Sequence, residues 1–109
     1  MNIIKYGGSR VSPTPETHDD GFIDSLIDLT KKYSSQEFMI IIGGGALAGK
    51  KQSEEPNADN DRKDWLGIEA TWENAQYVID RFISKGVGEV CPEVIKDPTK
   101  KVDGYRIYF

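Results

Sequence analysis

Two short apolar segments that each end in consecutive glycines constrain the fold of this chain more than any other feature. Asn2–Tyr6 runs into the pair Gly7–Gly8, and Phe38–Ile42 runs into the triplet Gly43–Gly45. Phe38–Ile42 is continuous and mostly β-branched, which is typical of a strand buried on both faces of a parallel sheet. Ligands of open α/β sheets bind beyond the carboxyl ends of the strands, so we expect both glycine turns to face one site.

Two amphipathic segments predict the main helices. The first begins near Asp19 or Asp20 as N-cap and ends at about Tyr33, and the second covers about Arg62 to Lys85. On the second helix we expect one apolar stripe toward the core, made of Trp65, Ile68, Trp72, Ala75, Ile79 and Phe82.

The other segments are shorter. We predict a loop over Ser9–Asp20, a helix beginning at Ala46–Ala48, a loop over Lys50–Arg62, and strands at Val87–Cys91 and Tyr105–Phe109. The order β-α-β-α-α-β-β indicates an α/β domain over residues 1–109, with a mainly parallel sheet joined by right-handed crossovers.

Composition excludes several classes of protein. With 109 residues, 38% of them hydrophobic and 29% charged, the chain fits one soluble globular domain. A net charge of −4 opposes general nucleic-acid binding, which needs a basic face. No apolar run approaches the roughly 20 residues of a membrane span, and no secretory leader opens the chain. We therefore expect a cytoplasmic protein with no nucleic-acid or membrane partner.

Cys91 and His18 are the only residues of their types. One cysteine cannot form an internal disulfide, and one cysteine with one histidine cannot build a zinc site, so we predict no metal centre. We expect Cys91 to be a small buried apolar residue and His18 to be solvated.

The first glycine turn favours anion binding. Gly7, Gly8 and Ser9 can present successive backbone N–H groups to an anion, because glycine permits a close approach. Lys5, inside the apolar strand, can place an ammonium where charge develops during phosphoryl transfer. The alternative is a tight turn with Lys5 at the surface.

The second turn opens a helix, where unpaired N–H groups and the helix dipole both favour an anion at Gly43, Gly44 and Gly45. Residues 44–50 also match the spacing G-x-x-x-x-G-K of a P-loop. That motif then requires Ser or Thr to hold magnesium, and Lys51 cannot do so.

A third segment lies on the long predicted helix. Asp64, Gly67, Thr71 and Asn74 recur three and four residues apart, which places them on one polar stripe. Gly67 is costly inside a helix, so a ligand or another helix is expected to approach it. The alternative is an ordinary amphipathic helix.

Together these segments resemble the amino acid kinase superfamily, and within it the uridylate kinases, especially the archaeal type. The resemblance rests on Lys5-Tyr6-Gly7-Gly8-Ser9, on Gly43–Gly45, and on Asp64-x-x-Gly67-Ile68-x-Ala70-Thr71-x-x-Asn74-Ala75. It implies a three-layer α/β/α sandwich that transfers the γ-phosphoryl group of ATP to a small acceptor, UMP in uridylate kinases, with ATP and Mg²⁺ as cofactors of the full-length protein.

The resemblance also implies residue roles. Lys5 would neutralise the transferring phosphoryl group, and the glycines of both turns would hold phosphates. Asp64 would contact the acceptor ribose, while Gly67, Thr71 and Asn74 lie on the helix that walls the acceptor site. The superfamily generally forms dimers or hexamers, so a homo-oligomer is expected.

Two departures limit what the resemblance implies. Uridylate kinases carry an arginine where Gly49 stands, so Lys50 is left to supply charge, without the bidentate geometry of arginine. The sequence also stops about halfway through a catalytic domain of this type, after about the fourth predicted strand. A UMP kinase segment inactive by itself, a non-catalytic module binding a nucleotide or oxyanion or serving an assembly, and a superfamily kinase for an amino acid, carbamate or isoprenoid phosphate all remain open.

Overall fold

The protein is a mixed α/β structure with a parallel sheet, as predicted. The computed structural model describes all 109 residues, Met1–Phe109. In chain order its elements are β1 (Asn2–Tyr6), α1 (Gly8–Val11), α2 (Asp20–Lys32), β2 (Phe38–Ile42), α3 (Gly45–Ser53), α4 (Asn60–Ser84) and β3 (Ile107–Tyr108). The strands lie in the order β1-β2-β3, and both pairs are parallel.

Aspartates fix the starts of the two long helices. The Asp19 carboxylate accepts from the Phe22 backbone N–H at 3.0 Å, and that of Asp59 accepts from Arg62 at 2.8 Å. Each bond satisfies one of the amides that lack a partner in the first turn of a helix. The predicted start of the first helix is confirmed, and the second begins two residues earlier than expected.

One hydrophobic core joins the helices to the inner face of the sheet. Ile23, Ile27, Ile40, Ile79 and Phe82 are all 3% exposed or less and belong to one cluster of 15 buried residues. Because side chains alternate along a strand, the inner face carries Phe38, Ile40 and Ile42.

The opposite face of the sheet is open within these residues, which differs from the prediction. Ile3 is 71% exposed and Ile41 is 43% exposed, so β2 is not buried on both faces. The continuous apolar run indicated a strand correctly, but a run alone cannot show which faces are covered.

The expected strand at Val87–Cys91 does not form, so the sheet has three strands instead of four. Only Val90 makes a β-bridge, to Ile107, because the segment follows Gly86 at φ 83° and contains Gly88. The last predicted strand is also shorter than expected and covers only Ile107–Tyr108.

Two predicted loops contain helix. The segment after the first glycine turn forms the four-residue helix α1, and α3 continues to Ser53. Residues 45–51 are therefore helical, which excludes a P-loop conformation there. No helix of this structure is both long enough and apolar enough to cross a membrane.

The apolar stripe of α4 was predicted correctly only toward its C-terminal end. Ala75, Ile79 and Phe82 are buried, whereas Trp65 is 46% exposed and Ile68 is 41% exposed. Earlier in the helix than Ala75, the buried positions are Leu66, Ala70 and Asn74 instead.

The two residues expected to be chemically unremarkable differ in outcome. Cys91 is buried, as predicted, at 4% exposure. His18 is not simply solvated: its ring stacks on Tyr77 with centroids 3.7 Å apart and planes 7° apart.

Candidate functional site

The two glycine turns pack directly against each other, backbone on backbone. A Cβ atom on Gly8 would lie 2.1 Å from the Gly45 nitrogen and 2.4 Å from the Gly43 oxygen. One on Gly45, whose φ is 56°, would lie 2.5 Å from the Gly8 carbonyl carbon. Any side chain at either position would displace the other turn, so these glycines serve close contact as well as conformational freedom.

Helix α4 packs against the second glycine turn. A Cβ atom on Gly44 would lie 2.7 Å from the Ala48 Cβ, 3.3 Å from the Gly67 oxygen and 3.4 Å from the Ala70 Cβ. Small residues on α3 and α4 therefore let the two helices approach at this point. At Gly67 itself, the nearest atom to an added Cβ is Gln52 Nε2 of α3, at 3.8 Å.

Asn74 connects α4 to the same turn. Its side chain is fully buried, and Nδ2 donates to the Gly43 oxygen at 3.1 Å and to the Gly44 oxygen at 3.0 Å. Its Oδ1 atom is buried and has no hydrogen-bond partner.

Amides without acceptors remain at the junction. The Gly7 and Gly44 N–H groups donate to no acceptor in the protein, and Gly45 begins helix α3. By contrast, the Gly43 N–H donates to the Tyr6 oxygen as an extension of the sheet. Amides of this kind at the carboxyl edge of a parallel sheet can bind an oxyanion.

The two predicted residues nearest this first turn are accessible. Lys5 is exposed on the outer face of the sheet, opposite Ile41 in the strand register, and forms no ion pair. Ser9 is exposed in α1, directly after the buried Gly8. An ammonium without an internal partner is available to an external anion.

Lys50 has acidic neighbours inside the protein. Its Nζ lies 3.3 Å from Glu16 Oε1 and 4.0 Å from Glu54 Oε1. Lys51, the next residue, contacts Glu73 on α4 at 3.0 Å. An acceptor anion would have to compete with Glu16 for the Lys50 ammonium, although exposed pairs of this kind are weak.

The remaining predicted residues divide by exposure. Asp64 is exposed in the first turns of α4 and makes no hydrogen bond or ion pair. The Thr71 hydroxyl is partly buried and donates to the Gly67 oxygen at 3.0 Å within its own helix. The structure thus brings Gly67 and Asn74 to the second turn, while Asp64 lies nearer the start of α4.

Sequence reasoning missed a polar cluster between α2 and α4. The Tyr77 hydroxyl donates to Asp20 Oδ1 at 2.7 Å, and this bond, with partial burial, raises the pKa of Tyr77. Arg81 binds both carboxylate oxygens of Asp24 at 2.9 Å, which lowers the pKa of Asp24. Both pairs join residues 57 positions apart, so no local pattern in the sequence could have found them.

The residues present do not supply a magnesium site of their own. No group of three or more His, Cys, Asp or Glu side chains is placed to hold a metal ion. The Mg²⁺ that the resemblance implies for a full-length protein therefore finds no such set of ligands here.

Two solved structures share this fold. Uridylate kinase from Archaeoglobus fulgidus matches 99% of this chain and 49% of its own, with a TM-score of 0.72 and 22% identity. UMP kinase from Bacillus anthracis matches 81% of this chain and 37% of its own, with a TM-score of 0.65 and 24% identity. The chain therefore has the α/β fold of these kinases, as the resemblance implied.

One relative is similar to this chain in sequence as well. Uridylate kinase from Pyrococcus abyssi (strain GE5 / Orsay) is 33% identical over an alignment of 98 residues that covers 87% of this chain and 41% of the relative. No family model matches the sequence. The chain is a homologue of uridylate kinases, as its motifs indicated, and it spans less than half the length of the relatives that it matches.

Proposed function

We propose that this chain forms the acceptor side of an ATP-dependent small-molecule kinase that phosphorylates a nucleoside monophosphate such as UMP, giving UDP and ADP. The observation that carries the proposal is the junction of two glycine turns at one edge of the sheet. Its unpaired amides suit a phosphate, and they occur in a homologue of uridylate kinases.

The residue roles follow the resemblance. Lys5 neutralises the transferring phosphoryl group, and Gly7, Gly8, Ser9 and the triplet Gly43–Gly45 hold phosphates through their amides.

The acceptor itself contacts the surface formed by α3 and α4. Lys50 supplies a positive charge to its phosphate, and Asp64 contacts its ribose. The wall of this surface comes from Gly67, Thr71 and Asn74, as the resemblance implies.

We expect the 109-residue chain to bind the acceptor without turnover. ATP and Mg²⁺ belong to the complete kinase that the resemblance implies, and these residues offer no cluster of metal ligands. Cytoplasmic nucleotide metabolism is the proposed setting.

Calorimetry with UMP, ATP and inorganic phosphate tests this proposal. We expect UMP to bind and Lys5→Ala to weaken phosphate-dependent binding, since the ammonium is lost. Lys101→Ala, at another exposed lysine far along the chain, is the control. Absence of UMP binding by the unmodified chain would count against the proposed function. An unchanged affinity in Lys5→Ala would count against the role proposed for Lys5.

A second candidate is a module or superfamily kinase that takes a different anion. Gly49 stands where uridylate kinases carry an arginine, and Lys50 is already paired with Glu16. Both observations imply weaker binding of a nucleotide phosphate at this position. Molybdate, carbamoyl phosphate and an isoprenoid phosphate, titrated beside UMP, separate the candidates: tighter binding of any of these displaces UMP as the acceptor.

We also propose that the chain self-associates through the first half of α4. Trp65 and Ile68 are exposed there, and the Trp65 and Trp72 rings pack edge to face at 5.4 Å. Exposed apolar patches of this kind mark interaction surfaces. Sedimentation of Trp65→Glu should show a smaller species than the unmodified chain, whereas Ile83→Glu, at an equally exposed position, should not.

A further inference from the structure

Asn74 is an unusual residue for the middle of a buried helix face. It is fully buried, and its Nδ2 atom donates to two successive backbone oxygens, those of Gly43 and Gly44. Both partners are carbonyl oxygens and can only accept, so the nitrogen of the amide must be the atom that faces them.

The other half of the same amide is unpaired. Asn74 Oδ1 is buried without any hydrogen-bond partner. Such an acceptor is costly, and an apolar side chain of similar shape would avoid the cost entirely. The two bonds made by Nδ2 are therefore the contribution of this residue, and both end on the glycine turn.

These two bonds determine where the amides of the turn point. Every peptide bond in the chain is trans, and in a planar trans peptide the C=O of one residue points opposite to the N–H of the next. Fixing the Gly43 and Gly44 oxygens toward α4 therefore turns the Gly44 and Gly45 N–H groups away from it. Gly44 is in the αR region, at φ −78° and ψ −26°, which keeps the two peptide units nearly parallel.

The first glycine turn packs against the same peptide unit. A Cβ on Gly8 would lie 2.1 Å from the Gly45 nitrogen, so only a glycine at this position leaves the Gly45 amide free of a side chain. Asn74 on α4 and Gly8 on the first turn thus both contact the peptide unit that joins Gly44 to Gly45.

We propose that Asn74 is a positioning residue that aims the Gly44 and Gly45 N–H groups at a bound oxyanion without touching that anion itself. This inference rests on the proposed function and changes the part assigned to Asn74, from acceptor contact to orientation of the turn.

The first test needs no ligand. The protein is labelled with ¹⁵N-glycine, and NMR relaxation gives the order parameters of the Gly44 and Gly45 amides. We expect values of about 0.85 in the unmodified protein. In Asn74→Leu, which removes both donated bonds, we expect values below about 0.6. The control is Thr30→Val, a buried polar change whose hydroxyl bonds only within α2. Unchanged glycine order parameters in folded Asn74→Leu would overturn the inference.

The second test adds inorganic phosphate or UMP to the same samples. We expect the Gly44 and Gly45 signals to shift on titration, with an affinity at least about tenfold weaker in Asn74→Leu and unchanged in Thr30→Val. Equal affinities in the folded variant and the unmodified chain would overturn the inference and leave the proposed function intact. If the unmodified chain binds neither anion, the proposed function fails, and the order parameters still decide the role of Asn74.

A third measurement applies if Asn74→Leu does not fold. In the unmodified chain, the two side-chain amide protons of Asn74 should exchange with solvent far more slowly than those of the exposed Asn60. Slow exchange together with rigid Gly44 and Gly45 amides supports the inference. Exchange at the rate of Asn60 contradicts it, because the donated bonds would then be absent.

Discussion

The two halves of helix α4 serve different ends. Toward its C-terminus, Val78, Ile79 and Phe82 pack among apolar side chains of the core. In its N-terminal half and just past its middle, Gly67, Ala70 and Asn74 meet the backbone of a glycine turn instead. The difference shows that one helix can stabilise a fold with large side chains and shape a site with small ones.

The largest expected effect lies in the core half. Phe82→Ala should lower the free energy of unfolding by about 3–5 kcal/mol, because the ring is fully buried and packs against Phe109 at 5.3 Å. Ile83→Ala, at a neighbouring exposed position, should stay within about 0.5 kcal/mol. Urea unfolding measures both changes in the free energy of unfolding. Equal decreases for the two variants would contradict the difference between the buried and exposed sides of this half.

The packed junction between the two glycine turns, beside the site half, should also resist change. Gly8→Ala is expected to cost about 1–3 kcal/mol or more, since the new methyl group would collide with the backbone of Gly43 and Gly45. The matched control is Gly7→Ala, whose Cβ would meet nothing within 4 Å. Urea unfolding of the two variants would contradict the packed junction if both were equally stable.

A smaller effect of opposite sign is expected at Gly67. A Cβ there has space, with Gln52 Nε2 nearest at 3.8 Å, so Gly67→Ala should raise the free energy of unfolding by about 0.5–1 kcal/mol. Gly49→Ala in α3, which also has open space, should behave alike. A loss of UMP affinity in Gly67→Ala alone would indicate that the acceptor approaches this glycine.

The smallest effect concerns pH, in the contacts of the core half with α2. The Arg81 guanidinium lowers the pKa of Asp24 below its ordinary 3.8. The folded state therefore favours the ionised carboxylate, and its contribution is complete above pH 3.8 and is lost as the pH falls through the lowered value. Because the pair is only partly buried and solvent still screens it, the change should be small.

Thermal unfolding between pH 5 and 2 tests this contribution. Asp24→Asn should flatten the acid end of the profile relative to Asp28→Asn, a change at an exposed carboxylate of α2 that has no ion pair. Superimposable profiles for the two variants would show that the Asp24–Arg81 pair does not contribute.

The α/β class, both glycine-terminated strands and the two long helices were predictable from local patterns. Which face of α4 is buried was not predictable. Trp65 and Ile68 are apolar like core residues, but the glycine turn beside α4 leaves space only for small residues. Hydrophobicity alone cannot show that Ala70 and Asn74 take the buried positions, since that depends on which backbone lies opposite.

The candidate site was predictable in its location and less so in its construction. The sequence indicates that Gly8 and Gly45 lie in turns that follow two strands of one sheet, yet their mutual contact appears only in three dimensions. Glu16 lies 34 positions from Lys50, and no local spacing connects them. Patterns in sequence report neighbours along the chain, whereas these contacts are between distant segments.

The close contact of the two turns has a consequence for protein engineering. Because each turn occupies the volume that a side chain on the other would need, substitutions in one are expected to be tolerated only with matching changes in the other. A chimaera that takes residues 7–9 from a kinase of this fold should therefore take residues 43–45 from it as well. The two turns therefore form a single structural unit that is encoded by two separate segments of the sequence.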